Sequence, residues 1–185
     1  MNQPSEPEWA QIDRHMHAAN THGGLVRLPP YCQIMTMRAL VGTADDIVAS
    51  HTLLSPEPET VWKLWAFTAG SIAFVEAEYE TDNYDFGEDD QRRQGNGFGN
   101  PVEPVSTTAW SRPVRTITAF EIVEVRYASR NRAFGRGTSE FYPTIIKIAF
   151  SDETSTLVNV GRSLDDESKR QRWDAFVTAA RQAAT

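Results

Sequence analysis

Four arginines, Arg126, Arg130, Arg132 and Arg136, occur in residues 126–137 with no acid among them. Phe134 sits between them and Tyr127 directly follows the first. A guanidinium offers a planar fork of N–H donors that fits phosphate and carboxylate oxygens, and it stacks on aromatic rings. Arg126, Arg130, Arg132, Phe134 and Arg136 therefore form the candidate ligand-binding set. The competing reading is internal charge pairing with the acidic stretch that holds Glu76, Glu78, Glu80, Asp82, Asp85, Glu88, Asp89 and Asp90. Exposed pairs of that kind are common and individually weak.

Other residues invite chemistry and fail on spacing. His15, His17 and His22 suggest a metal, but positions two apart on a helix face different ways, whereas ligand pairs want three or four. They are expected to be solvated surface histidines, with no metal bound. A calcium loop starting at Asp82 would put Tyr84 and Phe86 where carboxylates must ligate. Gly95, Gly97 and Gly99 have the density of a phosphate cradle, but the Lys-Ser/Thr ending of a P-loop is missing and Pro101 interrupts any following helix. No Gly-x-Ser-x-Gly elbow is present, and Cys32 carries no nucleophile signature. No catalytic residue and no cofactor is expected, so the chain reads as a non-enzyme; an unrecognised enzyme with a triad dispersed in space, drawing on His51 as the one histidine inside the body, is the lesser alternative.

The 185 residues carry 25 acidic and 18 basic side chains, a net charge of -7. That balance argues against a general nucleic-acid binder, which needs excess basic charge to displace counterions. The arginine cluster nevertheless leaves a basic patch on an acidic chain. Apolar runs are a few residues long, far short of the roughly 20 that span a bilayer. One cysteine forms no internal disulfide, and with no apolar leader at the N-terminus the expected location is cytoplasmic.

Residues 1–30 read as an N-terminal arm with a short helix from about Glu8 to Asn20. Trp9, Ile12 and Met16 lie at helical spacing on it, suited to docking on the body. Residues 31–185 read as a single domain. Gln33–Val41 is β-rich and reads as a strand. Residues 43–54 fit either a helix capped at Thr43 or a strand, with strand preferred. Val61–Thr68 and the return strand through Ala73, Val75, Ala77 and Tyr79 make a hairpin about Ala69-Gly70-Ser71. Residues 81–106 break all periodicity and read as a flexible acidic, glycine-rich loop. Strand patterning resumes at Thr107–Arg112, Ile117–Tyr127, through Ile146, Ile148 and Phe150, and at Thr156–Val160. The last element is an amphipathic helix with Ser163 as N-cap and Trp173, Phe176, Val177, Ala180 and Ala184 in one stripe.

About seven antiparallel strands closed by a C-terminal helix resemble the pleckstrin-homology-like superfold, including bacterial PH-like and GRAM-like domains. The hairpin Leu64–Val75 and the helical run Trp173–Ala180 carry the resemblance, which covers roughly residues 40–184. It implies a mainly β fold with α elements: a partly open barrel plugged at one end by the terminal helix. It also implies an interaction module with a protein or peptide partner. The link Ser55–Thr60, where such domains place basic residues for lipid head groups, is acidic and proline-rich here. A membrane surface or nucleic acid, bound as an anion through the arginine segment, is the alternative partner.

Overall fold

The computed structural model describes residues 3–18, 27–55, 60–80, 85–129, 139–161 and 167–185. Among these residues two antiparallel sheets and four helices make a mixed α/β architecture, with no closed barrel. The elements run α1 (Glu6–Met16), α2 (Tyr31–Val41), β1 (Ala49–Ser55), β2 (Thr60–Phe67), β3 (Ser71–Tyr79), α3 (Phe86–Arg93), β4 (Ser106–Pro113), β5 (Ile117–Ser129), β6 (Ser139–Phe150), β7 (Ser155–Asn159) and α4 (Glu167–Ala183). The first sheet has the order β1-β2-β3-β4 and the second β5-β6-β7. Among the described residues no ladder joins one sheet to the other.

The β2–β3 hairpin forms as its sequence suggests, with Phe67 opposite Ile72 and Trp62 opposite Ala77. The Thr68 hydroxyl accepts the Ser71 N–H at 3.0 Å and the Gly70 N–H at 3.3 Å, which closes the turn. On β2 the residues Trp62, Leu64 and Ala66 face one way, Trp65 and Phe67 the other, and all five are buried. A strand buried on both faces lacks polar alternation. The four-stranded sheet is therefore the central layer.

Its first face meets α1 and α2. Ile12 and Met16 of α1 and Ile34, Met37 and Val41 of α2 pack on Leu54, Trp62, Leu64, Val75 and Ala77. The predicted docking face of α1, with Trp9, Ile12 and Met16, is thus part of the core. Ser5 caps this helix, its hydroxyl accepting the Glu8 N–H at 3.4 Å.

The expected strand at Gln33–Val41 is instead helix α2. Its buried positions, Gln33, Ile34, Met37 and Val41, follow helical spacing. Pro30 fixes its start and Gly42, at φ +92°, ends it, a conformation that costs glycine little. In the ambiguous stretch 43–54, Thr43 opens a short 3-10 turn at Ala44–Asp46 before β1 begins, so the strand preference holds for its second half.

The second face of the central sheet meets the three-stranded sheet and α4. Trp65, Phe67, Ile72 and Phe74 pack with Ile146, Ile148, Phe150, Val158, Trp173, Phe176 and Ala180. The α4 stripe is the one expected, while the Ser163 cap lies outside the described residues. Polar links bind the layers. Trp173 Nε1 donates to the Pro143 carbonyl at 2.8 Å, and Trp65 Nε1 to the Thr156 hydroxyl at 3.2 Å. Arg112 of β4 pairs with Asp152 at 2.8 Å and stacks 4.5 Å from the Phe150 ring centre.

The expected flexible loop over 81–106 is corrected in the same way. Its centre is helix α3, capped by Asp85, whose carboxylate accepts the Glu88 N–H at 2.8 Å. Asp89 is fully buried; it pairs with Arg93 at 3.0 Å and accepts the Val102 N–H at 2.6 Å. Arg93 also donates to the Val102 carbonyl at 2.6 Å. Those contacts fasten the following segment to the helix, and Phe86 packs edge-on to Trp9 at 5.5 Å. Lack of periodicity concealed an element held by charge and aromatic contacts.

Candidate functional site

The longest ladder in the molecule pairs β5 with β6, from Ile117 opposite Phe150 to Ser129 opposite Ser139. On β6 the even-numbered Ile146, Ile148 and Phe150 are buried in the core. Alternation places Phe141, Pro143, Ile145 and Lys147 on the other face. Register brings Tyr127 beside Phe141, Val125 beside Pro143, and Glu121 beside Lys147, while Leu157 of β7 flanks Lys147 from the far side. Phe141 is 74% exposed, Tyr127 56% and Val125 51%. The Tyr127 and Phe141 rings meet edge to face at 5.5 Å.

No described element covers this face, and β5 is an edge strand. Register shifts at Ile122–Glu124 and Glu124–Val125 leave Val123 without a cross-strand partner. Such bulges twist an edge and are a common protection against indiscriminate strand pairing. Lys147 and Glu121 pair at 3.3 Å and give the patch one charged border. An apolar, aromatic face with a polar rim is the composition of a contact surface.

Of the predicted arginine set, only Arg126 lies among the described residues. Arg130, Arg132, Phe134 and Arg136 fall outside them. Arg126 sits in β5 opposite Tyr142 and ion-pairs with Glu124. The acidic stretch also finds cations nearby: Glu76 pairs with Lys63 at 2.6 Å, Glu88 with Arg92 at 3.0 Å and Asp89 with Arg93. Charge pairing is therefore local for these residues rather than between the two distant segments.

The histidines differ most from expectation. His15 and His17 are half-buried rather than solvated, while His22 lies outside the described residues. His15 Nδ1 is 3.0 Å from the Ser50 hydroxyl, and His17 Nδ1 is 2.6 Å from the Asp13 carbonyl. Burial lowers the pKa of both, and for His15 it reaches about 4. His51, buried between Trp65, Trp173 and Phe176, is lowered to about 3 by the same desolvation. Its Nε2 donates to the Asn159 carbonyl at 2.8 Å, a link from one sheet to the other.

The remaining buried polar groups are structural. Glu8 receives Arg38 at 2.6 and 3.0 Å, the Thr43 hydroxyl at 3.2 Å and the Ala44 N–H at 3.3 Å. Those donors, the Arg38 guanidinium foremost, hold its carboxyl below the usual range. The Cys32 thiol lies 3.2 Å from the Tyr79 hydroxyl and is pushed up by burial, the opposite of an activated nucleophile. Sequence reasoning missed the uncovered face of β5–β6, although the alternation of Val123, Val125 and Tyr127 with charged residues was its signal.

No described helix is long and apolar enough to cross a membrane. No family model, no curated protein and no solved structure matches the chain.

Proposed function

We propose that the protein is a non-catalytic interaction module of pleckstrin-homology-like design, working in the cytoplasm and docking a protein or peptide on the outer face of β5 and β6. The observation that carries this reading is the contiguous apolar strip of Tyr127, Phe141, Val125 and Pro143 along the edge of the second sheet. Monomeric proteins seldom leave contiguous apolar surface open without a use for it. The four-plus-three strand order followed by one packed C-terminal helix supports the fold part of the reading. The Glu124–Arg126 pair favours a protein partner over an anion, because the one described arginine of the cluster already has a carboxylate.

The test is a Val125→Glu, Phe141→Glu double substitution. Both positions are exposed, so the melting temperature should stay within a few degrees of wild type. Partner capture, quantified against wild type, should fall at least tenfold. Retention of full binding by a folded double variant would refute the assignment of this face.

A further inference from the structure

Arg172 of α4 reaches the last turn of α1. Its Nη1 donates to the Arg14 carbonyl at 3.4 Å, whereas its Nη2 is buried with no hydrogen-bond acceptor among the described residues. A buried charged donor left unpaired costs more than an ordinary hydrogen bond contributes. The His17 ring sits on the preceding carbonyl, that of Asp13, and His15 follows Arg14 directly against Ser50. The guanidinium and two imidazoles therefore converge on one turn.

The electrostatics agree. Burial alone depresses the Arg172 pKa, to about 10, with no carboxylate contributing. Both His15 and His17 are lowered further by the Arg172 charge, His15 also by Arg14 and His17 by Lys169. Among the described residues Asp13 is the one acid acting on the cluster, through His17, and His51 of β1 also senses Arg172. Such a concentration of positive charge opposes a metal cation and favours an anion.

We propose that the α1–α4 junction is a binding site for a small dianionic oxyanion, phosphate or a phosphate monoester, with Arg172 as its principal donor and His15 and His17 as flanking groups. A bound dianion supplies the acceptor that Nη2 lacks. It also reverses the field at the imidazoles. With Nδ1–H of His17 given to the Asp13 carbonyl, neutral His17 has only a lone pair at Nε2, so an anion beside it favours protonation. Binding then takes up protons and tightens as pH falls, by up to about tenfold per pH unit for one proton. The proposal is independent of the β5–β6 surface.

Sulfate is the first probe, because it remains a dianion across the range where histidine titrates. It is titrated at constant ionic strength into the full chain while the His15 and His17 C2–H resonances are followed by NMR. Both should shift saturably, and affinity should be higher at pH 6 than at pH 8. Arg172→Gln should weaken binding at least tenfold, whereas Arg112→Gln, whose contacts with Asp152, Thr154, Trp110 and Phe150 lie away from the α1–α4 junction, should leave it unchanged. Inorganic phosphate and glycerol 2-phosphate then separate the free ion from the monoester by which binds more tightly. A linear, unsaturable response in wild-type protein would overturn the site even if Arg172→Gln fails to fold. So would equal affinity in Arg172→Gln, which would reduce the effect to general salting-out.

Discussion

The two sheets are built from similar amounts of apolar residue and treat them differently. The central sheet, β1–β4, is covered by α1 and α2 on one face and by α4 and the second sheet on the other across β1–β3. The second sheet, β5–β7, gives one face to the core and leaves Tyr127, Val125, Phe141 and Leu157 exposed on the other. Most apolar side chains of β1–β3 are withdrawn from water, at about 25 cal/mol per Å². On the second, Ile146, Ile148, Phe150 and Val158 do the same, while the side chains of the outer face stay in water and contribute little to folding. The contrast is thus between a sheet covered on both faces across β1–β3 and one covered on a single face.

The largest effect that separates the layers is expected at Trp173. It is buried, bonds the Pro143 carbonyl and packs on His51 and Phe176. Trp173→Ala should cost about 3–5 kcal/mol, or roughly 10 °C in melting temperature for a chain of this size. A melt indistinguishable from wild type would show that α4 does not seal the core.

Acid comes next. His51 and His15 are held near 3 and 4 against about 6.5 in the unfolded chain. Their folded forms stay neutral while the unfolded chain gains protons, so stability present above pH 6.5 declines as pH falls towards those values. Glu8, lowered by Arg38, adds a loss in the same direction at the acid end of the window. The melting temperature should therefore drop from pH 7 to pH 4, and His51→Leu should flatten that drop. An unchanged slope in the variant would remove His51 from the account.

The smallest effect belongs to the open face. Phe141→Ser should alter stability by no more than about 0.5 kcal/mol, as exposed substitutions generally do. A loss of several kcal/mol in chemical denaturation would mean the ring is part of the core after all.

Much of this contrast can be read from the residues, and the failures have physical causes. The run Trp62-Lys63-Leu64-Trp65-Ala66-Phe67 marks a strand, and its weak alternation reflects burial from both sides. The Trp173–Ala180 stripe marks the sealing helix because its period is clean. Helix α2 was disguised by Ile, Thr and Val, whose β preference yields to the packing of Ile34, Met37 and Val41 on the sheet. Helix α3 was hidden by its charge: Asp89 pairs with Arg93 one turn on in the same helix, but its full burial is intelligible only once the Val102 N–H from beyond the helix is beside it. His15 and His17 looked solvated for the same reason, because α4 brings Arg172 from far along the chain. The candidate arginine set rested on sequence proximity alone, and its one described member is already paired.

Site-specific photocrosslinking tests the central contrast most directly. A crosslinking residue is placed at Val125 on the open sheet face and, as a control, at Val48, which is 60% exposed ahead of the central sheet. The account predicts a discrete adduct with another protein from Val125 and none from Val48. Equal adducts from both positions, or none from Val125 in cells that hold the partner, would contradict it.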